Sequence, residues 1–194
     1  MPRIVDHDER RRDLARAVWG LMREEGLEAV TIRAVADRSG WSSGAVRHYL
    51  PSREAILTFA AEQLRSEFEQ HLRNRPVTGD SVADFRSLLM AVLPLEENTR
   101  SMLEIWLVFI GAAVSGKTSA VRALVYDDLS GLLAEGLEAV AAEDRIPAGN
   151  VQALTIEVHA VLDGLSGHLL LDHITSQAAE SAIDHWLQRA ISAG

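Results

Sequence analysis

The stretch from Thr31 to Leu57, TIRAVADRSGWSSGAVRHYLPSREAIL, decides how the chain is read. It holds two short segments, TIRAVADRSG and SSGAVRHYL, each opening on a hydroxyl residue suited to a helix N-cap, with Gly40 between them to supply the turn. Ala36 is small where two helices cross closely, and Val35, Trp41, Val46 and Tyr49 supply apolar contacts that lock such a pair. The second segment keeps an outward face of Ser42, Ser43, Gly44, Ala45, Arg47 and His48, small or cationic side chains that suit the major groove of DNA. An ordinary helical hairpin with a solvated basic face has the same spacing, so the pattern alone leaves both readings open.

The charge around this stretch differs from that of the whole. The net charge of the 194 residues is −9, which taken as a mean argues against nucleic acid as a partner. Divided at Arg53, however, the chain carries 10 Arg against 8 acidic residues before the cut, a net of +2, and 9 basic against 20 acidic residues after it, a net of −11. An Arg-rich head precedes an acidic body. The 47% apolar content supplies a core, and zero cysteines exclude both a disulfide framework and a thiolate metal site. With neither a secretory start nor an apolar run of spanning length, the expectation is a cytoplasmic protein without a membrane partner.

Outside Thr31–Leu57 the period is helical almost everywhere. Leu14, Ala17, Val18, Leu21 and Met22 share one face before Gly26, and Ile56, Leu57, Ala60, Leu64, Phe68 and Leu72 share another after Pro51 and the capping Ser52. Helices are expected over 82–93, ended by Pro94, over 119–142 and 150–173, and from Ser176 onward. Only MLEIWLVFI, within 99–114, is apolar enough to be a buried helix or a buried strand. The expected fold is all-α, about nine helices, with a three-helix head ending at Arg53 and a helical body over 54–194.

The 27 residues from Thr31 to Leu57 closely resemble the DNA-binding signature of the TetR family of transcriptional repressors, matching its threonine, Ala36, Gly40, Ser42, Gly44 and Tyr49 at the family's spacing. Arg47 stands where the family commonly has a first tyrosine, and Arg53 where it commonly has lysine. IWLVF at Ile105–Phe109, following Pro94 and Leu95, and VLDGLSGHLLLD at Val161–Asp172 resemble the effector domain of BetI-like members. The resemblance implies that Thr31 and Arg33 contact phosphates. It implies that Ser42, Ser43, Ala45, Val46, Arg47 and His48 approach bases and adjoining phosphates, that Tyr49 bonds a phosphate, and that Arg53 clamps the backbone. For Arg47 a guanine contact and a phosphate contact fit equally.

Two stripes in the last helices, Leu162, Leu165 and Leu169, then Ile183, Trp186, Leu187 and Ile191, suit a four-helix interface between two copies, as the resemblance also implies. Such a homodimer reads a palindromic, double-stranded operator. Met90, Met102, Trp106, Phe109 and Ile110 are candidates to line the cavity of a small-molecule effector, although plain core packing explains each as well. By family analogy, the effector releases the DNA.

A competing signal lies in GAAVSGKT, Gly111–Thr118, which fits the phosphate-cradling pattern G-x-x-x-x-G-K-S/T and contains Lys117, the chain's one lysine. A working phosphate loop needs a strand entering it and further parallel strands beside that one, and no second strand candidate follows Thr118. The alternative function, a nucleotide-binding hydrolase, therefore rests on WLVFI being a strand. His159, Asp163, His168, Asp172 and His173 fall within fifteen residues, but on a continuous helix His159 and His173 stand about 21 Å apart. No metal site, cofactor or catalytic constellation is expected.

Overall fold

The computed structural model describes residues 7–115 and 121–192. They form α1 (His7–Glu25), α2 (Ile32–Ser39), α3 (Ser43–Tyr49), α4 (Arg53–Arg73), α5 (Ser81–Val92), α6 (Glu97–Val114), α7 (Val121–Ala142), α8 (Val151–Leu170) and α9 (Ser176–Ser192). Single 3₁₀ turns occupy Leu27–Ala29 and Ala148–Asn150, and no strand occurs among the described residues. The fold is all-α, and no described helix is long and apolar enough to cross a membrane.

The chain separates into two compact units. One runs to Glu67 and resumes over Glu104–Leu124; the other takes Phe68–Leu103 and the chain from Val125 onward. The division thus falls inside α4, beyond Arg53.

In the first unit, Leu14, Val18, Leu21 and Met22 of α1 are buried at helical spacing, and the Trp19 indole donates to the Ala60 carbonyl at 3.1 Å. The stretch that sequence left undecided between helix and strand lies in α6. Ile105 and Phe109 are buried while Leu107 between them is exposed, a pattern that follows the helical period here. Gly111–Val114 form the last turn of that helix, and the Ser115 hydroxyl donates back to the Gly111 carbonyl at 2.6 Å. The strand on which the hydrolase alternative rests is not found here: the residues that had to be a strand are helix, and the first half of GAAVSGKT continues it. Gly116, Lys117, Thr118 and Ser119 lie outside the described residues.

The second unit is built on a core of Leu72, Phe85, Leu89, Leu133, Leu137, Val158, Leu162, Ile183 and Trp186. Gly136 lets α7 and α5 approach closely, for a Cβ there would stand 2.5 Å from Cδ2 of Phe85. Arg86 of α5 grips Asp184 of α9 through two hydrogen bonds of 2.5 and 3.0 Å. Helix α8 ends at Leu170, earlier than the periodicity suggested. Arg100 donates to the carbonyls of Leu169 and Leu170 at 3.1 and 2.7 Å, closing the helix end. Asp172 takes a left-handed conformation (φ 52°), which turns the chain back so that the His168 and His173 ring centroids stand 5.1 Å apart. His173 is therefore not on the helix, and its expected separation from His159 does not apply. His159 instead meets Ser130 of α7, Nδ1 to Oγ, at 3.0 Å.

Candidate nucleic-acid interface

Thr31 and Ser42 are the N-caps of α2 and α3: their hydroxyl oxygens accept from the backbone N–H of Ala34 and Ala45, each at 3.1 Å. A capping hydroxyl satisfies one of the amides at a helix start and fixes where the helix begins. Gly40, at φ 74°, ends α2 in the left-handed conformation that costs glycine least. Val35 and Ala36 of α2 and Val46 of α3 are buried between the helices. Two helices of eight and seven residues are thus held by caps, one turn glycine and a small apolar seam.

The geometry leaves Ser42, Ser43, Gly44, Arg47, His48 and Tyr49 exposed along α3, with Ala45 half-buried. Thr31 and Arg33 are exposed at the start of α2, where Arg33 lies 3.8 Å from Asp37. Arg47 has no carboxylate partner among the described residues, so its full charge faces solvent. The Tyr49 ring meets Trp41 edge-on at 5.6 Å and His48 edge-on at 5.5 Å, which limits the directions its hydroxyl can take. Arg10, on α1, lies over the Trp41 ring at 5.8 Å. That contact has no trace in the spacing of Thr31–Leu57, because Arg10 lies a whole helix earlier.

Two of the expected DNA contacts also have partners within the chain. Val46 is fully buried in the seam and has no surface to offer a base; the apolar role noted from its spacing is the one it takes. Arg53 is occupied within the chain, its guanidinium donating to the Leu27 carbonyl at 2.8 Å and to Glu28 at 3.1 Å. It anchors the 3₁₀ turn between α1 and α2. Arg38 and Glu24 make a second such brace. Their mutual hydrogen bonds lower the Glu24 carboxyl and raise the Arg38 guanidinium from their ordinary values, and the pair lies over Gly20, whose missing side chain makes room.

The residues expected at the other sites are also distributed unevenly. Met102 and Phe109 are buried, whereas Met90, Trp106 and Ile110 are half-buried; Met90 and Met102 belong to the second unit and the other three to the first. Of the stripes assigned to a dimer, Leu162, Leu169, Ile183, Trp186 and Leu187 sit in the protomer's own core, and Leu165 and Ile191 pack against it. Trp186 is 3% exposed, with its indole donating to Glu157 at 3.0 Å, so its surface is already covered within one chain. The face of α8 left open carries Ile156 (67% exposed), Ala160 and Gly164 at i, i+4 and i+8, and Leu171 (81% exposed) follows directly after the helix end.

Comparison with known proteins bears on both halves. Residues 14–58 match the model for bacterial regulatory proteins of the tetR family, and residues 82–192 match the C-terminal model of BetI-type transcriptional repressors. The HTH-type transcriptional regulator PksA of Bacillus subtilis (strain 168) is 28% identical over 187 residues, covering 90% of this chain and 85% of that protein. The regulator BetI of Stenotrophomonas maltophilia (strain R551-3) is 28% identical over 116 residues, 59% of each chain. Among solved structures, a transcriptional regulator from Rhodococcus sp. Rha1 shares the fold at a TM-score of 0.79 and 22% identity, covering 94% of this chain and 96% of its own. A regulator from Saccharomonospora viridis, solved in complex with choline, shares it at 0.80 and 19% identity, covering 95% and 98%. With its capped helix-turn-helix and matches over both halves, this chain belongs to the TetR family of bacterial transcriptional regulators.

Proposed function

We infer that the protein is a repressor that binds a palindromic operator as a homodimer and is released by a small-molecule effector, with residues up to Arg53 reading DNA and residues 54–194 serving effector and dimer. The observation that carries this is the open face of α3, where Ser42, Ser43 and Gly44 permit close approach and Arg47 and His48 bring charge and hydrogen-bond donors. Thr31 and Arg33 flank that face as phosphate contacts, and Tyr49 adds its hydroxyl. Val46 and Arg53 act indirectly, by holding the helices in place.

The dimer uses what the core leaves free. Ala160 and Gly164, between the exposed Ile156 and Leu171, let a second α8 approach closely, while α9 offers Ala178 and Ser181. The release step needs only that an effector bind one spacing of the two recognition helices better than the other. Choline, bound by the Saccharomonospora viridis neighbour, is the first compound to try.

The test is a titration against the DNA flanking the gene, read by fluorescence anisotropy. Arg47→Ala should weaken operator binding by about 10- to 100-fold, the range of one good bidentate base contact, while Arg73→Ala changes it little. Equal effects would remove α3 from the interface. Light scattering should give the mass of two chains, and Ile156→Glu should give that of one.

A further inference from the structure

The arginines of the first unit are mostly committed. Arg16 pairs with Asp13, Arg33 with Asp37, Arg38 with Glu24 and Arg53 with Glu28. Arg11 lies over the buried Phe59 ring at 5.1 Å and so points back at α4. Arg10 differs from all of these. It is exposed, has no carboxylate partner among the described residues, and is held 5.8 Å above the ring of Trp41, the residue directly before the N-cap of α3. Trp41 in turn meets Tyr49, and Tyr49 meets His48, so a continuous run of contacts joins Arg10 to the exposed face of the recognition helix. Arg10 also precedes the segment that matches the family's DNA-binding model, residues 14–58.

Resting on the DNA-binding reading above, we propose that Arg10, steadied by Trp41, is a further DNA contact: it neutralises a backbone phosphate beside the groove that α3 enters. A guanidinium over an aromatic face keeps its N–H edge free while the ring restricts where the group can go. Less freedom is then lost when a phosphate is engaged. The contact is to phosphate because the side chain approaches from α1, outside α3, and phosphate contacts position a protein without reading sequence. The Trp41 side chain is a positioning residue for both Arg10 and Tyr49.

The experiment measures affinity for a random-sequence 24-base-pair duplex as a function of salt, using the full chain. Each phosphate contact adds about 0.9 to the magnitude of the slope of log K against log salt, so a dimer losing two should lose about 2. Arg10→Gln should show that loss and weaken binding to every duplex by the same factor, with its melting temperature unchanged because the side chain is exposed. Arg10→Lys should keep most of the slope, since the charge remains. A slope unchanged in Arg10→Gln, beside a wild type that binds, overturns the Arg10 contact alone; so does a slope lost equally in Arg10→Lys. A wild type that binds no duplex overturns the DNA-binding reading as well.

Discussion

Helices α2 and α3 have eight and seven residues, and α8 and α9 have 20 and 17. Both pairs are amphipathic, yet their outward faces come about differently. The short pair buries only Val35, Ala36 and Val46, and nearly every other side chain on it stays at the surface. The long pair has broad apolar stripes, which pack into the protomer's own core and leave Ala160, Gly164, Ala178 and Ser181 outside among mostly polar neighbours. A short helix therefore displays its outward residues in the sequence itself. In a long helix the conspicuous large side chains are those that a core claims first, since burying them stabilises by roughly 1.5–3 kcal/mol each.

The contrast is broken most directly at Trp186. Trp186→Ala should destabilise the protomer by about 3–5 kcal/mol, the usual cost of emptying an aromatic site in a core, read as a lower guanidinium midpoint. Unchanged stability with loss of the dimer would mean that Trp186 faces another copy after all. Gly136→Ala tests how tightly the same core is packed. With a Cβ placed 2.5 Å from the buried Phe85 ring, it should cost about 1–3 kcal/mol of overpacking, and a stabilised variant would show that α5 and α7 yield.

The smallest effect belongs to the Arg86–Asp184 bridge between α5 and α9. The Arg86 hydrogen bonds hold the Asp184 carboxyl below its ordinary range, so the bridge contributes stability above the unfolded aspartate value of about 3.9 and loses it as pH falls through the lower folded value. Both side chains are 43% exposed, and solvent screening limits the contribution to below about 1 kcal/mol. Asp184→Asn should lower the urea midpoint slightly at pH 7, and the difference from wild type should shrink as pH is taken below about 4. A gap that stays constant from pH 7 to pH 3 would assign the effect to packing.

Much of the head is legible in the sequence. Thr31, Gly40 and Ser42 act as cap, turn and cap, as their residue types and spacing implied, because caps and turns are local and need no distant partner. Val46 shows the limit of a motif: its place in the family signature implied a contact with DNA, whereas the helical period turns it inward. The in-chain partners of Arg53 were hidden for another reason. Leu27 and Glu28 lie two helices earlier, before α2 and α3, and no periodicity within Arg53's own helix points to them. GAAVSGKT illustrates how a pattern without its context misleads, for the glycine and lysine spacing survives while the strand it requires is a helix.

Sequence alone determined the all-α class, the positions of the helices within a few residues, the helix-turn-helix and its exposed cationic face. These follow from period, capping chemistry and charge, all of which act between residues near in the chain. Tertiary structure alone decided which apolar stripe is core and which face stays open, where α8 ends once Arg100 meets its last carbonyls, and that Arg10 rests on Trp41. Each of those depends on side chains far apart in sequence competing for the same space, and that competition is settled only when the helices pack.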